Sequence, residues 1–324
     1  MTTNNKKTAL VTGANSGIGF EASAQLAEAG FACVILACRT GAKAETARGR
    51  LIERCGRDIF EVLAVELTEP ASVTSACNIL VNRGGKIDFL LLNAGMCARA
   101  QLVHNAAGVE LTFASTLIGH HLLTMRLLAA RLLTDHARIV IAGSEAALGN
   151  LAGMKIPDFA ALANEHYNGD LAAALMAVAQ AQPPYKYYWL NSYGAAKRFV
   201  VWWAAALARK LPDGQTVNAV SPGTTAQTNF NRHQPWLMRT VIKSIATQIA
   251  KRIGMTGPIS DAARRYLTAE AFDDETTGHF FASPPGKLVG PLELQTEPDF
   301  LNTSYQDACW QVVVRLAGGL DYPE

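Results

Sequence analysis

The chain has 324 residues, 49% of them hydrophobic, and a formal net charge of +2. That is enough for a large packed core in one big α/β domain or two ordinary ones. The near-neutral charge, with no basic block, argues against a nucleic-acid groove or an acidic substrate. Six cysteines (Cys33, Cys38, Cys55, Cys77, Cys97, Cys309) lie far apart with no CxxC pair, which reads as free thiols in a reducing compartment. The polar start MTTNNKK leads into no signal-like segment, and the longest apolar runs, such as FVVWWAAALA at 199–208, are too short to span a bilayer. The expectation is a soluble, cytoplasmic protein with no nucleic-acid partner and no membrane span.

TALVT (8–12) reads as a first strand, followed by a helix in EASAQLAEAG that Gly30 closes. FACVILAC (31–38) is apolar at nearly every position, the pattern of a strand buried on both faces. A second helix lies in AKAETARGRLIERCG, a third strand in IFEVLAVEL (59–67), and a third helix from Glu69 to Arg83. IDFLLLNAG (87–95) gives a fourth strand and its exit turn. Residues 106–134 hold one long helix or two shorter ones, and ARIVIAGS (137–144) is a fifth strand. Later come a helix at 192–210, a strand in QTVNAV (215–220) and a last strand in GHFFAS (278–283). This alternation predicts an α/β fold with a doubly wound parallel sheet of about seven strands and helices on both faces. Nothing resembles an interdomain linker, so residues 1–324 read as one domain. The regular pattern breaks at 145–191, at about 223–260 and at 283–298.

Three features carry chemistry. TALVTGANSGIGF (8–20) sets Gly13, Gly17 and Gly19 between a buried strand and a helix. Glycines there let the backbone approach a pyrophosphate at a helix N-terminus, although a lone glycine turn is weak evidence. The second strand ends in LACRT, with Arg39 and no acidic residue from Phe31 to Arg39. An arginine accommodates the 2′-phosphate of NADP, so NADP(H) is favoured over NAD. In SYGAAK (192–197), Tyr193 and Lys197 share one helix face. An ammonium beside a phenol favours the phenolate, which suits proton transfer. Ser144, at the end of the fifth strand, stands where such sheets bind ligands.

Together these pieces resemble the short-chain dehydrogenase/reductase superfamily over roughly residues 6 to 228. TGANSGIG (12–19) is similar to its cofactor turn, LLNAG (91–95) to its fourth-strand motif, IAGS (141–144) to its serine position, YGAAK (193–197) to its Tyr–Lys pair and SPGTTAQT (221–228) to its nicotinamide-holding segment. ACR (37–39), AAGVELTF (106–113) and LIGHHLLT (117–124) look like retinol dehydrogenases and light-dependent protochlorophyllide reductases. The resemblance implies a Rossmann fold and hydride transfer between the nicotinamide and a carbonyl carbon. Tyr193 would be the general acid, Lys197 its partner and a ribose ligand, and Ser144 the group that polarises the carbonyl. Gly13, Asn15, Ser16, Gly17, Ile18, Gly19, Arg39, Glu66, Leu67, Asn93, Ala94, Gly95, Pro222, Gly223, Thr225 and Thr228 would line the cofactor, with Asn93 near the adenine-side ribose. Thr228 sits one residue off the usual spacing.

The chain departs from the family pattern in three places. Thr116 stands at the relay position where the family has Asn. Glu66 stands for the Asp that ends the third strand. Phe199 stands for a Cys found in protochlorophyllide reductases, which argues against pigment photochemistry.

The insert 145–191 holds Leu148, Leu151, Met154, Phe159, Tyr167, Leu171, Leu175, Met176, Tyr185, Tyr187 and Trp189. These suit either the lid of an apolar substrate pocket or a local core that packs the insert itself. Segments 224–260, with Phe230, Trp236, Leu237 and Met238, and 283–324, with a closing helix and Trp310 on its buried side, would complete the substrate side. His121 reads as packed rather than as a ligand, and no metal is expected. The reading is an NADPH-dependent reductase of a bulky apolar ketone or aldehyde, or the reverse alcohol oxidation. Reduction of a conjugated C=C bond and a non-catalytic NADP sensor are alternatives. The chain would be a monomer or a homodimer.

Overall fold

The computed structural model describes residues 7–96, 101–225 and 256–323. Among these residues eight strands form one sheet in the order β3-β2-β1-β4-β5-β6-β7-β8. They are β1 (Thr8–Thr12), β2 (Cys33–Cys38), β3 (Phe60–Ala64), β4 (Ile87–Leu92), β5 (Leu133–Ala142), β6 (Thr216–Val220), β7 (Phe280–Ala282) and β8 (Glu293–Leu294). All neighbours from β3 to β7 pair in parallel; β8 alone is antiparallel. The seven expected strands are present, and the eighth falls inside the stretch read as irregular. Strand β5 begins at Leu133, earlier than its apolar run, because its first turn carries exposed Asp135 and His136.

The helices among the described residues are α1 (Gly17–Glu28), α2 (Gly41–Cys55), α3 (Pro70–Arg83), α4 (Leu111–Phe113), α5 (Gly119–Ala129), α6 (Phe159–His166), α7 (Leu171–Ala179), α8 (Trp189–Ala208), α9 (Ile259–Glu270), α10 (Pro298–Leu301) and α11 (Thr303–Leu316). Helices α4 and α5 are one rod joined through a π turn at Ala114–Ile118. Alternate strand residues point to opposite faces, so the sheet divides the apolar side chains into two cores. Leu10, Ile35, Leu90 and Ile139 face α3, α5, α8 and α11. Val11, Leu36, Leu91 and Val140 face α1, α2 and α9.

The insert divides differently from a simple lid. Phe159 and Leu175 are buried in the larger core, with Leu148, Leu171, Met176 and Tyr185 packed against it. The Phe159 ring lies 5.9 Å from Phe199 and 5.4 Å from Trp202 of α8. Packing on α8 therefore occupies much of the apolar surface the insert brings. Helix α11 also lies on α8 and α7, with Trp310 on its buried side. His121 is packed, as expected. Its Nε2–H donates to the Leu320 carbonyl (2.7 Å) and its Nδ1 accepts from Trp203 Nε1–H (3.0 Å). Burial holds this imidazole neutral, with its pKa lowered to about 4. Of the described cysteines, all free, Cys38, Cys77 and Cys309 are buried, while Cys33 and Cys55 are partly exposed.

Helix α5 approaches the sheet so closely that a Cβ on Gly119 would fall onto the carbonyl oxygen and Cβ of Leu67. That backbone has no flexible end to move aside. Gly119→Ala is expected to cost at least about 3 kcal/mol, read from urea unfolding; a change under about 1 kcal/mol would mean that the helix can slide away.

Candidate active site

In the order 3-2-1-4 the crossovers leave β1 in opposite directions at β1/β4, and their carboxyl ends open a crevice there. Gly13 (φ +70°) turns the chain out of β1. A Cβ on it would lie 3.1 Å from Ala94 Cα, and one on Gly19 would lie 2.5 Å from Asn93 Nδ2 and 2.6 Å from the Gly13 carbonyl oxygen. Neither position has room for a side chain. Gly17 (φ +62°) instead faces open space. Helix α1 starts there behind the N-cap Ser16, whose side chain makes no capping bond. The first N–H groups of α1 thus keep their donors for an incoming group, at the positive end of the helix dipole. Asn15 belongs to this turn, while Ile18 packs down onto the smaller core.

Thr12 joins the two strands of the crevice. Its Oγ1 accepts from Ala94 N–H and its carbonyl accepts from Asn93 Nδ2, both at 2.9 Å. The same hydroxyl lies 3.0 Å from His120 Nε2. The other ring nitrogen, Nδ1, must carry the proton, because it donates to the Thr116 carbonyl (2.9 Å). His120 is fully buried, and burial pushes its pKa down to about 4, so it stays neutral. It therefore ties the π turn to the end of β1. Within that turn Thr116 is 1% exposed. Its Oγ1 has no hydrogen-bond partner among the described residues. A Cβ on Gly95 would meet it at 3.3 Å.

Arg39 and Glu66 converge at the ends of β2 and β3. Arg39 Nε pairs with Glu66 Oε2 at 2.9 Å, and the arginine side chain is 51% exposed. Glu66 Oε1 also accepts from the Thr68 hydroxyl (2.9 Å). Leu67 is core, pressed against Gly119, so only its backbone is left for a ligand.

Across the crevice, α8 carries Tyr193 and Lys197. Lys197 is 5% exposed. Its Nζ donates to the Ala142 carbonyl at 2.6 Å and lies 5.9 Å from the centre of the Tyr193 ring. Burial lowers its pKa to about 7. Ala142 stands two residues before Ser144, so this bond fastens the turn of α8 that bears Tyr193 to the strand end that bears Ser144. Ser144 caps a 3₁₀ turn, Glu145–Leu148, by accepting from Ala146 N–H (3.2 Å). That turn packs on α8. Gly194 makes the approach possible: a Cβ on it would lie 2.5 Å from Met154 Sδ and 3.3 Å from the Ala146 carbonyl oxygen.

The segment after β6 completes the ring. Gly223 has φ +72°, and a Cβ on it would lie 2.9 Å from both Arg265 Nη1 and the Leu288 carbonyl oxygen. Thr225 Oγ1 is buried without a partner among the described residues. Thr228, and the part of 224–260 that holds Phe230, Trp236, Leu237 and Met238, lie outside the described residues.

Sequence reasoning missed the polar group behind this segment. Glu145 accepts from Ser221 Oγ (2.6 Å) and Ser283 Oγ (2.7 Å), with Arg265 Nη1 at 3.6 Å. The available signal was an acidic residue directly after a strand of apolar positions.

The glycine-thin turn, the uncapped start of α1 and the two orphaned hydroxyls on Thr116 and Thr225 fit a dinucleotide laid across the strand ends. Similarity to known proteins agrees with this arrangement. A family model described as short chain dehydrogenase matches residues 7–156. The WW domain-containing oxidoreductase of Danio rerio is 31% identical over 247 residues, 76% of this chain and 55% of that protein. The chloroplastic protochlorophyllide reductase of Chlamydomonas reinhardtii is 26% identical over 98% of this chain and 79% of that protein. The chain belongs to the short-chain dehydrogenase/reductase superfamily. It spans about half the length of the WW domain-containing relatives. The fold matches the actinorhodin polyketide ketoreductase, solved with NADPH, at a TM-score of 0.61 and 22% identity, over 86% of this chain and 96% of that one. No helix among the described residues is long and apolar enough to cross a membrane.

The buried lysine has a thermodynamic signature. Between its folded pKa of about 7 and the ordinary lysine value, the unfolded chain holds a proton that the folded chain lacks, so raising the pH favours folding. The difference in unfolding free energy, wild type minus Lys197→Met, is expected to rise between pH 7 and 9 by up to about 1.4 kcal/mol per pH unit. Urea unfolding at both pH values checks it, and a flat difference would mean that Lys197 stays charged in the fold.

Proposed function

We propose that the chain is an NADPH-dependent oxidoreductase that transfers a hydride between the nicotinamide and the carbonyl or alcohol carbon of a bulky apolar substrate. The observation that carries this reading is the 2.6 Å bond from Lys197 Nζ to the Ala142 carbonyl, because it brings the Tyr193 turn and the Ser144 strand end to one crevice. Arg39 at the end of β2 and the NADPH in the similarly folded ketoreductase support the choice of cofactor. The sequence-level roles of Gly13, Gly17, Gly19, Asn93, Pro222 and Gly223 fit the same cradle.

When bound, the nicotinamide would supply the hydride. The chain supplies orientation and the proton. The Ser144 hydroxyl hydrogen-bonds the substrate carbonyl oxygen. Tyr193 donates its phenolic proton to that oxygen as charge develops on it. In its protonated form, present near and below its pKa of about 7, Lys197 stabilises the phenolate left behind while Ala142 holds it in place. Oxidation of an alcohol runs the same path backwards. Met154 and Ile156 pack on Gly194, beside Tyr193.

Of the monomer and homodimer expected from the sequence, the covered helices favour the monomer. Trp202 and Trp203 of α8 are fully buried. Tyr305 of α11 stacks on Trp202 at 4.9 Å, and Trp310 meets His121 of α5 at 5.3 Å. The chain itself thus occupies a face that a partner would need. The free thiols suit a reducing, cytoplasmic setting.

Tyr193→Phe is expected to bind NADPH as the wild type does and to lose turnover by at least about 100-fold, measured as NADPH consumption with a panel of aromatic ketones and aldehydes. Undiminished turnover would overturn the mechanism. Arg39→Ala is expected to weaken NADPH binding about tenfold or more while leaving NADH unchanged, read by fluorescence titration; equal losses for both nucleotides would remove Arg39 as the phosphate discriminator.

A further inference from the structure

Glu145 directly follows Ser144, yet its side chain turns away from the crevice into a place that is 5% exposed. A lone carboxylate there would be costly. This one is saturated. Oε2 accepts from Ser221 Oγ at 2.6 Å; Oε1 accepts from Ser283 N–H at 3.2 Å and from Ser283 Oγ at 2.7 Å. Arg265 comes within 3.6 Å of Oε1 and binds the surroundings of the same carboxylate: Nη1 donates to the Ser221 carbonyl (3.0 Å), and Nη2 donates to Ser283 Oγ (2.9 Å) and the Gly290 carbonyl (2.6 Å). The strand ends of β5, β6 and β7 thus meet on one buried ion pair.

Ser221 passes the constraint on. Its hydroxyl donates to Glu145 and accepts from Gly223 N–H at 3.0 Å. On the other side of that turn, Arg265 packs so tightly that only a glycine fits at Gly223. The turn is therefore gripped by the carboxylate through a hydroxyl and by the guanidinium through a carbonyl. Well-packed apolar residues are often no less stabilising than a buried ion pair in such a volume. What the polar set adds is a single register, since each lone pair and proton has one matching position.

We propose that Glu145 is a positioning residue that locks the Ser144 strand end to the Ser221–Gly223 turn, setting the carbonyl-polarising hydroxyl against the segment that would hold the nicotinamide. This rests on the functional reading of Ser144, Tyr193 and Lys197 given above. Glu145 touches neither substrate nor cofactor. It acts through Ser221, and an error of about 1 Å between two sides of a reaction centre can cost on the order of 100-fold in rate.

The test compares Glu145→Gln and Ser221→Ala with the wild type. The glutamine is isosteric but faces donors with an NH2 and leaves Arg265 unbalanced. The alanine removes only the relaying hydroxyl, and it carries the test alone should the glutamine variant fail to fold. Two readouts are taken: amide hydrogen exchange across 221–225 in the cofactor-free protein, and kcat, KM and NADPH affinity with a carbonyl substrate. Exchange at Gly223 should quicken about tenfold or more in each folded variant, with peptides from β1 to β4 unchanged. The kcat should fall about 10- to 100-fold while KM and the NADPH Kd stay within about threefold. Wild-type exchange and kcat in Ser221→Ala would overturn the proposal. So would a lower melting temperature with kcat intact, which marks a purely structural network. A wild type that binds NADPH but turns over no substrate overturns the functional reading, and with it any effect of Glu145 on turnover; the exchange data then report separately on the linkage.

Discussion

Lys197 sits with its amine at the floor of the crevice, bonded to one backbone carbonyl of β5. Much of the architecture serves to hold it there. The carbonyl of Ala142 is available because β5 ends at that residue. The amine reaches it because α8 lies flat against the 3₁₀ turn after Ser144. Helix α8 lies flat because its far side is sealed by α11 and the insert. Desolvating an amine works against its charge, so a group of this kind persists where function rather than stability selects it.

The second constraint is closeness of backbone. Gly13, Gly19, Gly143, Gly194 and Gly223 all lie where a Cβ would strike a neighbour. Gly143 separates β5 from the Phe280 ring, with room for no methyl between them. These contacts bring strand ends, helix starts and loops within one nucleotide's reach, while the positive φ at Gly13, Gly17 and Gly223 sets the direction in which the chain leaves each element.

Much of this was legible in the amino-acid order. Apolar runs marked the parallel strands because both their faces are buried, and the spacing of Tyr193 and Lys197 marked a shared helix face. The glycine turn stood out because it interrupts an apolar strand. What stayed hidden depends on partners far away along the chain. Thr12 and His120 are 108 positions apart, and Glu145 and Ser283 are 138 apart. No local pattern announces such a pair. Strand β8 is too short to have a period, and the polar opening of β5 masked its start. The aromatic residues of the insert were open to two readings because only the folded chain shows Phe199 and Trp202 facing Phe159.

The larger core has a consequence for how the molecule comes into being. It joins Leu10 in the first strand to Val313 in α11, so its innermost layer is assembled from residues about as distant as this chain allows. A growing chain that stops short of α11 lacks Tyr305, which stacks on Trp202, and the helix that packs on that side of α8. Such non-local closure slows folding and lengthens the time in which sticky surface is displayed. The larger core is therefore complete only once the residues around Trp310 have emerged, and a chain that stops upstream of them leaves one side of α8 without its cover.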